Sequence, residues 1–577
     1  MNRHNSVNVG SRRGWLLIAC FVVFTAALLW RVVDLQLFKN DFLLDYGNAR
    51  SIRVVEIPAH RGMIVDRNDE PLAISTPVES VWANPDKVLH DSRKIPTLAK
   101  ILGMDSSTLK SLLRDRVGRD FVYLKRQVTP DQSLAIEKLS VQGINLQQEY
   151  KRYYPSGEVT SHVIGFTNVD DIGQEGLELA YDKWLKGTPG SKRVLKDRLG
   201  RTVENIESIQ ASKPGKKLVL SIDRRIQYLA FRELKTAVAR HSARSGSLVM
   251  LDCRTGEVMA MVGQPSFNPN NRSELRSDRY RNRAVTDVFE PGSTLKPFTV
   301  AAALMSGMYT PHTMVNTAPG YFRVSNHTIR DTSNHGNIDV TTVIQKSSNV
   351  GATKIALTLG PEKIWKVLTE VGFGQPTMSG FPGESPGLFH NYRNWSELEL
   401  ATISFGYGIS VTMLQLAHAY TIIANNGMQV PVTFLKATGP VQGTRVLPED
   451  ISRQVRKMLE TVVESGGTGQ RAAISGYLVA GKTGTAERAT DGGYASNLNM
   501  SLFAGMAPAS NPRLVMVVLI DEPHGAEQYG GQVAAPVFAR VMRGTLRLLN
   551  IPPDDMPSIN TRQVLAQSGA APGMARE

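Results

Sequence analysis

An uncharged, apolar run occupies residues 14–30 near the start of the chain. As an α-helix, with a rise of about 1.5 Å per residue, it is long enough to cross the apolar core of a thin bilayer. Trp15 and Trp30 stand at its two ends, where aromatic side chains anchor membrane helices at the interface. The pattern predicts a single transmembrane anchor, to which we assign residues 14–36.

Basic residues precede this anchor, at Arg3, Arg12 and Arg13, and no acidic residue does. The positive-inside rule therefore places residues 1–13 in the cytoplasm and everything after the anchor outside it. A cleaved signal peptide is the alternative interpretation. We favour the uncleaved anchor, because the apolar run is longer than a usual signal-peptide core and no small-residue cleavage site follows it.

Between the anchor and residue 215 the hydrophobic pattern changes repeatedly between helical and strand periods. We predict two strands within residues 53–73 joined by a turn at Asn68-Asp69, helices across 95–139 with a strand near 121–124, and a half-exposed strand at 194–204. We interpret Arg61, Asp66 and Arg67 as a structural ion-pair network. The loop composition of residues 211–215 predicts a boundary there, so we assign residues 37–215 to a non-catalytic module.

The chain after residue 215 predicts one larger domain that combines a sheet with helices. Its predicted elements are a strand at 218–223, a helix at 225–238, a hairpin of 246–252 and 257–262, a long loop at 264–283, strands at 500–503 and 514–521, and a closing helix at 537–549. This combination indicates the α+β class. We assign residues 216–551 to this domain and residues 552–577, which lack any periodicity, to a disordered tail.

A turn signal at Pro291-Gly292, followed by the apolar residues 298–304, predicts a helix that begins at or near Ser293. Unpaired backbone N–H groups at such a terminus favour developing negative charge. Lys296 lies three residues on, so the spacing places its amine on the same helical face as the Ser293 hydroxyl. A lysine activates a serine only when its amine is neutral, which requires burial or a neighbouring cation to lower its pKa. Taken alone, this short pattern favours the simpler interpretation of an N-cap serine beside a solvated lysine.

The motif Ser347-Ser348-Asn349 lies later in the same predicted domain. It offers a second hydroxyl, from Ser347, and a carboxamide, from Asn349, at a loop or helix junction. Neither Ser-x-x-Lys nor Ser-x-Asn is specific by itself, because both patterns occur by chance in many chains.

The third motif is Lys482-Thr483-Gly484, which follows the apolar residues 477–480 and predicts an edge strand. Small residues on such a strand let a substrate backbone lie alongside it. Lys482 supplies a cation, and the Thr483 hydroxyl can bind a carboxylate. Three motifs in the order Ser-x-x-Lys, Ser-x-Asn and Lys-Thr-Gly within one domain indicate a serine acyl-transfer site.

The composition is that of an ordinary globular protein, with 42% hydrophobic residues, 20% charged residues and a formal net charge of +14. The charge excess fits either a solvated basic surface or an anionic partner. The two cysteines, Cys20 and Cys253, are too few for a zinc site. No basic block interleaved with aromatic residues indicates nucleic-acid binding. We therefore expect no metal, no cofactor and no nucleic-acid partner.

The ordered triplet is that of the penicillin-binding proteins and β-lactamases, with Ser348 where the β-lactamase motif has an aspartate. The chain resembles the class B, monofunctional penicillin-binding proteins of the FtsI type, from the anchor to about residue 549. No region is left for the glycosyltransferase that class A relatives carry. The further segments that carry this resemblance are Arg61-Gly62-x-x-x-Asp66-Arg67, Arg152-x-Tyr154-Pro155, Gly176-x-Glu178, Phe405-Gly406-Tyr407-Gly408 and residues 162–170, which look like the division-specific branch.

The resemblance implies a peptidoglycan D,D-transpeptidase of the inner membrane, which cross-links stem peptides in the periplasm at the division septum and is acylated by β-lactams. It implies that residues 37–215 form a pedestal or dimerisation module. It also implies that residues 216–551 form a penicillin-binding transpeptidase domain, with an antiparallel sheet flanked by helices. Membrane-embedded division proteins, including a SEDS-type glycosyltransferase, are the implied protein partners.

The catalytic residues implied by the resemblance are Ser293, Lys296, Ser347, Asn349 and Lys482. Ser293 attacks the carbonyl of the penultimate D-Ala, Lys296 accepts its proton, and Ser347 relays a proton to the leaving amine. Asn349 holds the substrate amide and helps to fix Lys296. The candidate substrate-binding residues are Thr483, Gly484, Thr485, Tyr407 and Tyr529, of which the two tyrosines fit core packing equally well. Backbone N–H groups of Ser293 and Thr485 are the implied oxyanion hole.

The chain departs from the family pattern at Asp69, where Gly is usual, at Met413, where Pro is usual, and at Glu487, where some relatives have a basic residue. A main division enzyme and a specialised second copy therefore both fit. Two other functions compete, namely a D,D-carboxypeptidase or β-lactamase that uses water as acceptor, and a non-catalytic division scaffold or β-lactam sensor. The anchor and the large N-terminal module disfavour the first, and the intact motifs disfavour the second.

Overall fold

The protein is described here from a computed structural model, which covers residues 9–41, 52–196, 202–271, 273, 276–490 and 493–555. Its described residues divide between two compact units. The smaller unit draws on residues 1–60, 77–151 and 187–214, and the larger unit on residues 61–76, 152–186 and 215–577. The predicted tail at 552–577 lies almost wholly outside the described residues.

The N-terminal helix runs over Val9–Val33 and continues as a π-helical turn at Asp34–Phe38. Within the described part of the chain, Gly14–Phe38 is the one helix long and apolar enough to cross a membrane. Its apolar side chains are exposed, as those of a lipid-facing helix are. The structure therefore agrees with a single-pass N-terminal anchor.

Besides the N-terminal helix, the described residues of the smaller unit form two sets of strands and four short α-helices. One antiparallel sheet has the order Ile52–Ile57, Gly190–Lys196, Thr202–Gln210, and the other pairs Val122–Val128 and Ile144–Tyr153 with Pro71–Ala83. The helices are Pro85–His90, Ile95–Leu102, Ser106–Arg114 and Pro130–Leu139. Their apolar faces and the second set of strands share one core, which includes Leu98, Leu109 and Ile136.

The prediction of one strand at 194–204 is wrong, because the segment belongs to two antiparallel strands that end at Lys196 and begin at Thr202. The alternation does not describe the second strand, where the apolar residues Val203, Ile206 and Ile209 are three positions apart. Residues 197–201 themselves lie outside the described residues.

The predicted turn at Asn68-Asp69 is confirmed, and Asp69 has a φ of 66° there. That left-handed conformation explains why glycine is usual at this position.

The larger unit is built on a five-stranded antiparallel sheet. Its order is Val258–Gln264, Ser245–Asp252, Leu514–Asp521, Gly493–Ala507, Ala480–Thr490, which places the strand of the third motif at the edge. Helices Arg224–Arg240 and Gly530–Leu548 cover one face over a core that includes Leu234, Phe503 and Phe538. The other face packs on the helical half of the unit.

That helical half contains the helices and small hairpins that carry the first two motifs. Its main helices are Lys296–Met305, Val340–Lys346, Asn349–Leu359, Pro361–Glu370, Glu397–Ile403, Met413–Ala424 and Glu449–Thr461. Shorter helices are Ser161–Ile164, Gly176–Ala180, Asp182–Leu185, Ser277–Tyr280 and Arg283–Thr286. The small strands of the larger unit are Ile64–Val65 and Leu218–Val219, which pair in parallel, and Met314–Asn316, Tyr321–Val324, His327–Arg330, Asn337–Asp339, Met428–Gln429 and Thr444–Arg445, which form small hairpins.

Two predicted boundaries in this unit differ from the structure. The closing helix begins at Gly530 and not at residue 537. Its first turns contain paired glycines and Pro536, which indicate a break by propensity alone. Glycine is required there by packing, because a Cβ on Gly530 would lie 2.2 Å from the carbonyl oxygen of Leu502. The strand predicted at 218–223 is limited to Leu218–Val219.

The predicted network among Arg61, Asp66 and Arg67 does not form. The Asp66 carboxylate instead accepts hydrogen bonds from backbone N–H groups, including that of Arg224 at 3.0 Å. Arg67 lies 3.4 Å from a carboxylate oxygen of Glu257. Asp66 is held partly by the nearby N–H groups of Asn68 and Glu70, but Arg224 and Glu257 are distant in sequence, so a local pattern could not indicate these contacts.

Arg61 belongs to a buried ionic cluster within the larger unit. The carboxylate of Glu178 accepts from Arg61 at 2.8 Å and from Arg152 at 2.6 Å, and all three side chains are almost fully buried. Arg61 also donates to Asp182 at 2.8 Å. Because two guanidinium groups depend on one buried carboxylate, removing that carboxylate leaves uncompensated charge in the interior.

We expect Glu178→Gln to destabilise the larger unit by about 3–5 kcal/mol, the usual cost of breaking a buried ion pair from one side. Urea unfolding of the detergent-solubilised full chain measures this change. Glu370→Gln, which breaks an exposed pair with Lys366, is the matched control and should leave the midpoint unchanged. Equal midpoints for the two variants would contradict the structural role assigned to Glu178.

Candidate active site

Ser293 lies in a 3₁₀ turn, Gly292–Leu295, that leads directly into the helix Lys296–Met305. In such a turn residues i and i+3 are eclipsed, which sets the side chains of Ser293 and Lys296 side by side. The turn rests on a neighbouring loop, because the N–H of Gly292 donates to the carbonyl of Gly406 at 3.0 Å. Only glycine fits at position 406, where a Cβ would lie 2.0 Å from the Gly292 oxygen.

The amine of Lys296 lies at the centre of a hydrogen-bond cluster. Its Nζ is 2.9 Å from Ser293 Oγ, 3.1 Å from Ser347 Oγ and 2.8 Å from Asn349 Oδ1. It also lies 2.5 Å from the backbone oxygen of Ser347. Four acceptors therefore surround one buried amine, and the first two motifs meet at it.

Ser347 and Asn349 lie at the junction between two helices, as the sequence predicted. Ser347 ends the helix Val340–Lys346 in the left-handed region, with a φ of 61°. Ser348 then caps the helix Asn349–Leu359, since its hydroxyl accepts from the N–H of Gly351. A non-glycine residue in this conformation is strained, and such strain is common where a functional side chain must be aimed.

Lys482 connects the third motif to the second. Its Nζ lies 2.9 Å from Ser347 Oγ, so the Ser347 hydroxyl is within hydrogen-bond distance of both lysines. A continuous chain of polar contacts therefore runs from Ser293 through Lys296 and Ser347 to Lys482. The five predicted catalytic residues are brought together in one cluster.

Both amines are fully buried, and burial disfavours their charged forms. Burial lowers the pKa of Lys482 to about 7. For Lys296, burial lowers the pKa well below its usual range, the Lys482 ammonium lowers it further, and the Asp331 carboxylate opposes both effects. The two causes expected from the sequence, desolvation and a neighbouring cation, both act on Lys296. A neutral Lys296 amine can accept the proton of Ser293.

The remaining residues of the third motif line the edge strand Ala480–Thr490. Thr483 Oγ1 lies 2.7 Å from Thr468 Oγ1, and Thr485 Oγ1 accepts from the N–H of Gly530 at 3.1 Å. A Cβ on Gly484 would lie 3.0 Å from a methyl of Thr294, so glycine lets the strand approach the Ser293 turn.

The two candidate tyrosines occupy different environments. The hydroxyl of Tyr407 accepts from the N–H of Glu487 at 3.3 Å, which joins the loop behind Ser293 to the strand of the third motif. Tyr407 is half-buried and packs on Phe405. Tyr529 is 63% exposed beside the start of the helix Gly530–Leu548, so its side chain lies at the surface and not in the polar cluster.

Sequence reasoning missed Asp331, which organises the second motif. One carboxylate oxygen accepts from the N–H groups of Asn349 at 2.6 Å and Val350 at 3.0 Å, and the other accepts from Ser348 Oγ at 2.6 Å. This carboxylate caps the helix Asn349–Leu359 from outside the helix. Asp331 follows the hairpin strand His327–Arg330 with no motif around it, so no local signal could have identified it.

Comparison with known proteins places this site in a family. Residues 246–543 match the penicillin-binding protein transpeptidase domain, and residues 56–220 match the penicillin-binding protein dimerisation domain. The chain is 44% identical to peptidoglycan D,D-transpeptidase FtsI of Escherichia coli K12, over 98% of this chain and 97% of that protein. The two matched domains and the full-length similarity define the class of protein.

Solved structures of similar proteins also belong to the penicillin-binding proteins. The transpeptidase domain of penicillin-binding protein 3 from Burkholderia pseudomallei is 46% identical, with a TM-score of 0.54, over 59% of this chain and 98% of that structure. Penicillin-binding protein 3 from Mycobacterium tuberculosis, solved with aztreonam, is 28% identical, with a TM-score of 0.68, over 86% of this chain and 98% of that structure.

The chain belongs to the class B penicillin-binding proteins. Within that class its similarity is to the FtsI-type peptidoglycan D,D-transpeptidases. The enzyme class indicated by the motifs and the α+β architecture indicated by the predicted strands and helices are therefore confirmed. Stem peptides of peptidoglycan and β-lactams are the ligands of this class, and the N-terminal helix is its membrane anchor.

We expect Asp331→Asn to shift the low-pH limb of penicillin acylation to lower pH. The Asp331 carboxylate raises the pKa of Lys296, so its removal lowers that pKa and leaves more amine neutral in acid. The amide oxygen can still accept the two backbone hydrogen bonds. The pH dependence of the second-order acylation rate measures the shift.

Asp339→Asn is the control, because Asp339 caps the preceding helix through Thr342 and is not among the groups that shift Lys296. Its profile should follow that of the wild type. Identical profiles for Asp331→Asn and the wild type would show that Asp331 has no electrostatic effect on the base.

Proposed function

We propose that the protein cross-links peptidoglycan stem peptides at the division septum through an acyl-enzyme on Ser293. The observation that carries this proposal is the position of the buried Lys296 amine. It lies 2.9 Å from Ser293 Oγ and also contacts the side chains of Ser347 and Asn349. A buried, uncharged amine at hydrogen-bond distance from a serine hydroxyl is the arrangement that nucleophilic catalysis requires.

In the first step the Oγ of Ser293 attacks the carbonyl carbon of the penultimate D-Ala, and its proton passes to the Lys296 amine. The tetrahedral oxyanion is stabilised by the N–H groups of Ser293 and Thr485. Collapse of this intermediate breaks the peptide bond and releases the terminal D-Ala. Its amine takes up a proton from the Ser347 hydroxyl, which lies between Lys296 and Lys482 and is reprotonated from them.

In the second step an amine of a neighbouring stem peptide attacks the ester carbonyl. The same groups act in reverse, so Lys296 returns the proton to Ser293 Oγ when the ester bond breaks. The product is a peptide cross-link, and the enzyme is regenerated. Transfer instead of hydrolysis requires that water stays away from the ester.

Substrate recognition is assigned to the edge strand. The terminal carboxylate binds at Lys482 and Thr483, since a cation and a hydroxyl lie together there. A substrate backbone pairs with the free edge of Ala480–Thr490, which Gly484 leaves open. Tyr407, held against Glu487, lines the adjoining wall.

The membrane arrangement follows from the charge before the anchor. Residues 1–13 lie in the cytoplasm and the catalytic domain in the periplasm. Residues 14–30 of this anchor carry no charge, and their large apolar side chains are exposed. Such a helix can pack against membrane-embedded division proteins, among which we propose a SEDS-type glycosyltransferase.

Ser293→Ala should abolish covalent labelling by a fluorescent penicillin, because no ester can form. Ser306→Ala, at the C-terminal end of the same helix, is the matched control and should label as the wild type does. Gel fluorescence measures both. Equal label on wild type and Ser293→Ala would overturn the nucleophile assignment, and loss of the wild-type label within seconds would indicate a β-lactamase.

Alkaline phosphatase fused after residue 555 should be active in cells, because that enzyme folds only outside the cytoplasm. The same reporter fused at residue 13, ahead of the anchor, should be inactive. The opposite pair of results would reverse the proposed orientation.

A further inference from the structure

Two helices on the face of the sheet opposite the helical half carry a concentration of arginines. Arg224–Arg240 and Gly530–Leu548 lie side by side and antiparallel, since Leu229 meets Gly544 and Glu233 meets Arg540. The arginines that this packing brings together are Arg232, Arg540, Arg543 and Arg547, and we call them the arginine face. All four are exposed.

The acidic residues around this face do not neutralise it. Glu233 is the one acidic residue in the two helices, and its carboxylate is shared by Arg232 at 2.9 Å and Arg540 at 2.7 Å. Nearby Asp223 is already paired with Arg225. Within the described residues, Arg543 and Arg547 have no carboxylate partner. The charges of the described residues therefore leave an excess of positive charge on this face.

The basic residues of the arginine face favour a ligand that carries carboxylates. All four are arginines and none is lysine, and a guanidinium group can bind a carboxylate through two parallel hydrogen bonds. Tyr228 lies one helical turn from Arg232 and is 54% exposed, so an aromatic ring stands among these cations. A surface that is basic for solubility alone requires neither arginine in place of lysine nor an exposed aromatic ring.

The arginine face and the candidate active site are connected by one helix. The helix Gly530–Leu548 begins where the N–H of Gly530 binds Thr485 and reaches Arg543 after about 20 Å, at about 1.5 Å per residue. A polymeric substrate can contact both ends of this helix. Binding a polymer at a second point raises the local concentration of its reactive groups at the first.

We propose that the arginine face is a second binding site for peptidoglycan, which holds strands through the carboxylates of their stem peptides. This inference rests on the proposed function, because it takes the polymer that the catalytic site uses as its ligand. Peptidoglycan is favoured over other polyanions because the same domain already requires it. Anionic lipid is the competing ligand, and the experiment separates the two.

The test is co-sedimentation of the detergent-solubilised full chain with purified peptidoglycan sacculi. Arg543→Glu combined with Arg547→Glu should weaken binding by about tenfold or more, and salt should weaken wild-type binding strongly, as for exposed charges. Sacculi with amidated carboxylates should bind the wild type as weakly as untreated sacculi bind the variant. Arg114→Glu combined with Arg119→Glu changes the net charge equally in the smaller unit and should retain binding.

Fluorescent penicillin labelling separates this proposal from the catalytic one. The Arg543→Glu, Arg547→Glu variant should label at the wild-type rate, which also shows that it is folded. Three results would each overturn the second site while leaving the assignment of Ser293 unaffected. The Arg543→Glu, Arg547→Glu variant could sediment with sacculi as the wild type does, or both double variants could lose the same amount of binding. The wild type could also bind phosphatidylglycerol vesicles but not sacculi. Failure of wild type to label would instead count against the proposed catalytic function.

Discussion

The structure of the active site depends on the burial of one amine. Lys296 is held by contacts to Ser293, Ser347 and Asn349, and a second buried lysine lies on the far side of Ser347. Two ammonium groups this close, without water, repel each other and lose their hydration, so the site favours a neutral Lys296. In the proposed mechanism this constraint makes the serine reactive, and it also explains why the site needs a large surrounding core. An amine exposed to solvent would remain protonated and could not act as a base.

The fold supplies that burial by bringing together elements far apart in the chain. The 3₁₀ turn at Gly292–Leu295 rests on Gly406, the second motif is held by Asp331, and the edge strand approaches through Gly484. Each of these contacts is made by a small residue or a capping carboxylate, because larger side chains would separate the motifs. The strand lies at the edge of the sheet, and in the proposed function an extended peptide pairs with that edge beside the catalytic cluster.

Charge is distributed in a consistent way over the larger unit. Inside, charges are paired, as in the cluster of Arg61, Arg152 and Glu178, or disfavoured by burial, which lowers the pKa of Lys296 most strongly. Outside, arginines exceed acids on the two helices that cover the sheet. The basic character that the composition showed is therefore located partly on a defined surface.

The sequence by itself determined the membrane helix, the edge strand, the hairpin of the central sheet and the three motifs. Each of these features depends on a short local pattern of polarity or residue spacing. It also indicated why the pKa of Lys296 must fall. Only the tertiary structure decided the start of the helix at Gly530, the partners of Arg61 and Arg67, the surface position of Tyr529 and the role of Asp331. These features depend on contacts between residues separated by tens to hundreds of positions. Local propensity and periodicity carry no information about such contacts, which arise only when the chain packs.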